Sequence, residues 1–88
     1  MEEEQRVTRL IVDRVHRVSS RPWLFVTGRL EGDALRLGDE LTVAYDGISS
    51  GLAVVRSIEL HAAPSMTTVA VDADPAGSVR EGAVLTRG

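Results

Sequence analysis

Apolar residues recur along this chain in short runs, and within each run they alternate with polar ones. Between residues 40 and 45, Leu41, Val43 and Tyr45 alternate with Glu40, Thr42 and Ala44. A period of two sends successive side chains to opposite faces of a β-strand, which is typical of a half-buried sheet. Other runs are rich in valine, threonine, isoleucine and leucine, which favour strands. Together with the alternation, they predict strands at 8–18, 23–30, 40–45, 52–61, 67–73 and 83–86.

Turn residues separate these runs. Glycine, proline, aspartate and serine cluster between them, and the alternation of the first run slips near Asp13 and Arg14, which predicts a β-bulge. Asp46-Gly47 is a signal for a tight hairpin, whereas Ser49-Ser50-Gly51 suggests a longer, looser loop at the same place. The segment Ser78 to Gly82 can accommodate one short helix or 3₁₀ turn.

Six or seven short strands without a helical period predict an all-β fold. A small antiparallel β-barrel is the expected architecture, because closure removes the unpaired edges that so short a sheet would expose. A chain of 88 residues has enough length for one core. We therefore expect a single barrel domain over residues 7–88, after a flexible acidic N-terminus at residues 1–6.

Composition narrows the class of protein. The chain is 43% hydrophobic and 26% charged, which is too apolar for a disordered protein. It has no cysteine, and no apolar run approaches the roughly 18 residues of a membrane span, so we expect a cytoplasmic protein with no membrane partner. The net charge is −3, but charge is unevenly distributed along the chain. Residues 5–36 hold seven arginines and three acids, and residues 37–88 hold three arginines and seven acids.

Motifs for catalysis are absent from the sequence. A phosphate-binding loop of the GxxxxGK[ST] type is impossible because the chain has no lysine. His16 and His61 are the only histidines, they are far apart in the chain, and a metal site would need them to meet carboxylates such as Asp13 or Glu59 in space. The sequence predicts a protein that is not an enzyme, has no catalytic residues, and uses no cofactor and no metal.

The candidate binding residues are arginines of the first half and the single tryptophan. They are Arg14, Arg17, Arg21, Trp23 and Arg29. Arginines near the second strand are able to form a basic face for phosphate or for an acidic partner, although solvated strand edges use the same residues to discourage edge pairing. Trp23 follows Arg21-Pro22 and is either a plug of the barrel core or a partly exposed anchor for a partner.

The segment VTGRLEGDALRLGDEL, from Val26 to Leu41, resembles the second domain of translational GTPases such as elongation factor Tu, whose pattern reads approximately VTGRVERGxIKVGEEV. Residues 54–61 and 79–85 resemble later strands of that domain, and residues 10–15 resemble its opening strand. The resemblance implies a small β-barrel in which Gly28 allows a close backbone crossing. The resemblance also implies that this barrel corresponds to a domain of a translation factor, and that this domain carries none of the GTPase chemistry.

The chain departs from that family at two places. Residues 19–24 replace the family's glycine-rich segment, which lies close to the aminoacyl end of bound tRNA, and Pro64-Ser65-Met66 replaces an alanine-glycine turn. Binding specificity is therefore expected where the chain differs, chiefly at Arg21-Pro22-Trp23 and around Ser49-Ser50-Gly51.

Two functions follow as hypotheses. The first is a non-catalytic binding module, a stand-alone barrel that docks on a protein partner or associates with itself, supported by oppositely charged halves. The alternative is an accessory domain that binds tRNA or rRNA through the arginines of the first half. DNA is not an expected partner.

Overall fold

The computed structural model describes residues 7–17, 23–59 and 66–87, and it shows a closed antiparallel β-barrel of six strands. The predicted fold class is thereby confirmed, while the predicted flexible N-terminus lies outside the described residues. The strands are β1 (Thr8–Arg17), β2 (Leu24–Glu31), β3 (Glu40–Tyr45), β4 (Ile48–Glu59), β5 (Thr67–Asp74) and β6 (Val84–Arg87).

The strands follow one another around the barrel in the order β1-β2-β5-β4-β3-β6, and every neighbouring pair is antiparallel. The alternation predicted from sequence decides which side chains fill the interior, since Leu24 and Val26 are buried while Phe25 and Thr27, which alternate with them, are only partly buried. Fully buried aliphatic side chains of this kind each stabilise the fold by roughly 1.5–3 kcal/mol relative to exposure. The largest of them are Leu10, Leu24, Leu41, Leu85, Val26, Val43, Val55, Val69 and Val71.

The predicted bulge in the first strand is present, and it lies beside a glycine that lets two strands come close. The register of β1 against β2 shifts between Val12 and Arg14. Gly28 pairs with Val12, and a Cβ at position 28 would overlap the carbonyl oxygen of Ile11. The close crossing expected at Gly28 is therefore confirmed, and a side chain there would force β1 and β2 apart.

Two local predictions were wrong. The fourth strand begins at Ile48 and not at residue 52, because Asp46 and Gly47 both have positive φ, of 56° and 81°, and form a two-residue hairpin turn without a longer loop. The 3₁₀ turn lies at Ala76–Ser78, earlier than the segment expected to hold it, and it is the only helical element of the described residues. No helix in this part of the chain is long and apolar enough to cross a membrane.

A polar network joins the end of β6 to the turn before β3. One guanidinium nitrogen of Arg87 donates to Asp39 Oδ2 at 2.7 Å, and the other donates to the hydroxyl of Thr8 at 2.8 Å. The backbone N–H of Arg36 donates to the same Asp39 oxygen at 2.8 Å. Burial acts to raise the pKa of the Asp39 carboxyl, but the hydrogen bonds from Arg36 and Arg87 and their positive charges outweigh it and hold the pKa below its usual value. We call Thr8, Asp39 and Arg87 the closed end.

Candidate functional site

Two of the predicted binding arginines meet on the outer face of the β1–β2 pair. Arg14 is opposite Thr27 and Arg29 is opposite Ile11, which makes the two arginines diagonal neighbours across the bulge. Both are exposed. Arg29 also lines a shallow cleft of about 140 Å³ together with Ile11, Val12, Asp13 and Met66.

The other predicted residues lie apart from this pair. Arg17 stands opposite Leu24, three ladder positions beyond Arg14, and the alternation of β1 turns it to the opposite side of the strand from Arg14. Trp23 is partly buried just before β2 begins, and Arg21 lies outside the described residues. The structure therefore brings Arg14 and Arg29 together and does not bring Arg17 onto the same face.

None of these three exposed arginines has a carboxylate within 4 Å among the residues that the structure describes, in contrast to three others. Arg9 pairs with Glu31 at 3.5 Å, Arg56 with Asp72 at 3.4 Å, and Arg87 with Asp39 at 2.7 Å. We call Arg14, Arg17 and Arg29 the arginine group. Its charges are available to an anionic partner.

A second surface, at the β3–β4 hairpin, contains none of the candidate binding residues, although it includes the Ser49-Ser50-Gly51 segment expected to carry specificity. The tight turn at Asp46-Gly47 makes Tyr45 and Ile48 a cross-strand pair. Both side chains border an open cleft of about 350 Å³. We call it the hairpin cleft, and its lining residues are Tyr45, Ile48, Ser50, Gly77, Ser78 and Arg80.

Arg80 is held in this cleft by an aromatic ring. Its guanidinium carbon lies 4.7 Å from the centroid of the Tyr45 ring, which is a cation–π contact. The ring itself rests on Gly82, where a Cβ would come within 3.4 Å of Tyr45 Cε1. Within the described part of the chain, no carboxylate lies within 4 Å of Arg80, and none of its N–H groups has a hydrogen-bond acceptor. The cation is therefore positioned but not neutralised.

Ser78 provides the floor of the cleft. Its side chain is 9% exposed, and its Oγ is buried without a hydrogen-bond partner among the described residues. Gly51 of β4 passes directly over it, since a Cβ at position 51 would lie 2.7 Å from that oxygen. By contrast, the hydroxyl of Ser50 donates to the carbonyl of Val43 at 3.4 Å. Ser78 thus keeps hydrogen-bonding capacity that Ser50 has already used.

The rim of the hairpin cleft is apolar and exposed. Ile48 is 69% exposed and Tyr45 is 39% exposed. Leu52 is exposed too, but the bulge in β4 pairs it with Thr42 and places it on the opposite face of the sheet from Ile48. We call Tyr45, Ile48 and Arg80 the hairpin surface.

The sequence contained part of the signal for this surface. The segment Ser49-Ser50-Gly51 was expected to carry specificity, and Ser50 and the close approach at Gly51 do belong to the hairpin cleft. Arg80 could not be identified, because its contact with Tyr45 joins residues 35 positions apart and depends on the hairpin turn. An Asp-Gly turn flanked by an aromatic and an aliphatic residue was the usable clue.

A scan of the chain against protein-family models gives no match, and a search of curated proteins gives none. The resemblance to the second domain of translational GTPases therefore stays a prediction. Among the described residues, no three histidine, aspartate or glutamate side chains come together to hold a metal ion.

Proposed function

We propose that this chain is a non-catalytic cytoplasmic binding module that docks on a protein partner through the hairpin surface. The observation that carries the proposal is the exposure of Ile48 beside a half-exposed tyrosine and an arginine that already hold each other in place. Tyrosine and arginine are enriched among the residues that dominate binding energy in protein interfaces. A fixed aromatic and cation also lose less conformational entropy when a partner binds.

The apolar residues give the surface its expected affinity. Ile48 sits at a hairpin tip where a polar residue would serve the turn equally well, so its exposure does nothing for the barrel interior. Clustered exposed apolar residues of this kind mark interaction sites more often than isolated ones do. The occupant we propose is an extended or loop segment of another protein that carries at least one aliphatic side chain.

Site-specific photo-crosslinking tests this proposal. A benzophenone amino acid placed at Ile48 or at Ser50 should give the same adduct in cells, because both residues line the hairpin cleft, and the adduct should be absent when the label is at Glu59. Glu59 is a suitable control because it is exposed on the far end of the same strand. Light scattering after size-exclusion chromatography would show whether the adduct is a second copy of this chain. Labels at Ile48 and Ser50 that yield no reproducible adduct would contradict the proposal.

A second candidate function is RNA binding by the arginine group. The observation that favours it is the absence of a carboxylate partner for Arg14, Arg17 and Arg29 within the described ranges. Binding to phosphates releases counterions, so for three contacts the affinity should fall roughly twentyfold to fortyfold between about 50 and 200 mM salt.

Gel shifts with tRNA and with an rRNA fragment at low salt test this alternative. The triple variant Arg14→Gln, Arg17→Gln, Arg29→Gln should abolish the shift, while the control Arg9→Gln, Arg56→Gln should keep it. Those two control arginines are ion-paired on the same barrel. A shift that persists in the triple variant would remove the arginine group from consideration.

We also propose that the barrel is of the translation-factor type. The motif from Val26 to Leu41 supports this, as does the close crossing at Gly28, which the resemblance implies. Under this proposal the barrel is used for docking alone.

A further inference from the structure

We propose that the hairpin cleft recognises one acidic side chain of the partner, with a neighbouring aliphatic side chain resting on Ile48. This inference rests on the proposed function, because it names the chemistry that the hairpin surface selects. It differs from the alternative of RNA binding, in which the anions are RNA phosphates and they bind the arginine group on β1 and β2.

The state of Arg80 points to an anionic ligand. A guanidinium offers five N–H donors in a planar fork that matches a carboxylate. The contact with the Tyr45 ring involves no hydrogen-bond acceptor, and the guanidinium donors have no acceptor among the described residues. Among the residues that the structure describes, Arg80 is also the only charged one that lines the hairpin cleft. An arriving carboxylate therefore meets a positive charge whose position is already fixed.

Ser78 supplies a second donor at the floor. A buried hydroxyl without a partner costs roughly 1–3 kcal/mol, and such groups in folded proteins commonly complete their hydrogen bonds with a ligand or water. The Ser78 Oγ lies below the cleft against Gly51 and is closed to solvent, so it donates to a carboxylate beside Arg80 once its side chain rotates toward the cleft. The two groups lie two residues apart, Ser78 at the end of the 3₁₀ turn and Arg80 in the loop before β6.

The surroundings favour a monoanion. Asp46 follows Tyr45 and Glu81 follows Arg80, and both are exposed near the rim. Their charges repel a doubly charged phosphate more strongly than a single carboxylate. The volume of about 350 Å³ lies at the lower end of the range of ligand sites, about 300–1,000 Å³, and suits one or two side chains. The apolar wall at Ile48 then selects an aliphatic neighbour for the acid.

NMR titration of the ¹⁵N-labelled chain with short capped peptides tests the inference. The ligand is acetyl-Leu-Glu-Leu-amide, and the matched control peptide is acetyl-Leu-Gln-Leu-amide, which differs by one charge. We expect saturable shifts at the Arg80 Nε–H and at the Ser78 and Ile48 amides. The glutamate peptide should bind about tenfold more tightly, because a charge-assisted hydrogen bond replaces a neutral one.

Substitutions distinguish the contribution of Arg80 to peptide binding from that of Ser78. Arg80→Gln should erase the preference for the glutamate peptide, and Arg80→Lys should restore only part of it, because lysine keeps the charge and loses the fork. Ser78→Ala should weaken the glutamate peptide about threefold. Arg56→Gln, at an exposed arginine already paired with Asp72, should leave the preference unchanged. The dispersion of each spectrum shows whether the variant is folded.

Equal affinity for the two peptides would overturn the inference, as would shifts confined to Arg14 and Arg29. Its failure is distinguishable from failure of the proposed function. If the crosslinked adduct is lost in Ile48→Ser but is unaffected by Arg80→Gln, docking at the hairpin surface stands and carboxylate recognition is overturned.

Discussion

The two ends of β3 and β6 carry the same kinds of side chain in opposite states. At the closed end, Arg87 donates to Asp39 and to Thr8, and both acceptors are well shielded from solvent. At the hairpin cleft, Arg80 has only a ring beside it, and Ser78 has no partner among the described residues. The arginine and the hydroxyl of the closed end are thus hydrogen-bonded to each other, whereas those of the hairpin cleft have no hydrogen-bond partner among the described residues.

This difference suggests that the closed end contributes to stability and the hairpin cleft to binding. Complete hydrogen bonds stabilise the folded chain and leave nothing for a ligand, whereas a fixed group with free donors adds little to stability and is ready for an acceptor. If the comparison holds, substitutions at the closed end should lower the free energy of unfolding. Substitutions of the matching residues at the hairpin cleft should change binding and leave stability nearly intact.

The largest expected effect is the loss of Arg87. In Arg87→Met the Asp39 carboxylate, 15% exposed, keeps only the Arg36 N–H, and the buried Thr8 hydroxyl loses its partner. We expect the free energy of unfolding to fall by about 3 kcal/mol, because hydrogen bonds to charged groups contribute about 1.5–3 kcal/mol each. Urea denaturation followed by circular dichroism measures it.

Arg80→Met is the matched control for this prediction. It removes one exposed cation–π contact, which is worth about 0.5–1 kcal/mol. Equal losses in the two variants would show that the two arginines serve the fold alike, and the comparison between the ends would then be wrong.

Gly51→Ala should have the second largest effect. The new methyl would lie 2.7 Å from Ser78 Oγ and 2.9 Å from the carbonyl oxygen of Asp74, so both contacts must be relieved by a shift of the surrounding atoms. We expect a loss of about 2 kcal/mol, as for other overpacked sites. In Gly77→Ala no atom lies within 4 Å of the new methyl, and thermal denaturation should show no loss.

A double variant sharpens this result. Ser78→Ala combined with Gly51→Ala removes the closer of the two contacts and should recover part of the stability, leaving the contact with Asp74. Full additivity of the two single variants would mean that Ser78 does not form the floor beneath Gly51.

The pH dependence of Asp39→Asn should give a smaller effect. The hydrogen bonds from Arg36 and Arg87 outweigh burial and keep the folded-state pKa of Asp39 below its unfolded value of about 3.9. The contribution of the carboxylate is therefore fully present above that unfolded value, and it is lost as the pH falls through the lower folded-state pKa.

Denaturation of the original chain and of Asp39→Asn across the acid range measures this contribution. We expect a difference of about 1 kcal/mol that is constant above about pH 5 and disappears at lower pH. A difference that grows as the pH falls would contradict the assigned sign. The exposed pair of Arg9 and Glu31 offers a control, because Glu31→Gln should change stability by less than about 0.5 kcal/mol.

The sequence was sufficient for the barrel because alternation acts locally. Leu41 and Val43 are buried where a period of two places them, and the slip at Asp13 marks a real bulge. The predicted start of β4 was wrong. Serine and glycine at residues 49–51 suggested a loop, although the turn at Asp46-Gly47 had already reversed the chain. Pairing with β3 overrides the weak strand propensity of those residues.

The candidate sites were harder to predict, because charge alone does not say which arginines are paired. Arg9 and Arg29 are both exposed on the β1–β2 pair, yet Arg9 contacts Glu31 while Arg29 has no carboxylate nearby in the described residues. Arg80 and Ser78 belong to a cleft whose other wall lies some 30 residues earlier in the chain. Only the register of β3 against β6 and β4 brings these groups together.

The smallest expected effect compares the two hydroxyls directly. Thr8→Val is nearly isosteric and removes the acceptor that Arg87 uses at 2.8 Å, so it should lower the free energy of unfolding by about 1 kcal/mol. Ser78→Ala removes a buried hydroxyl that has no partner in the described part of the chain, so it should leave stability unchanged or raise it by up to about 1 kcal/mol. Parallel urea titrations measure both. A loss in Ser78→Ala as large as that in Thr8→Val would show that the Ser78 hydroxyl already has a partner in the free protein, and the hairpin cleft would then lose its second donor.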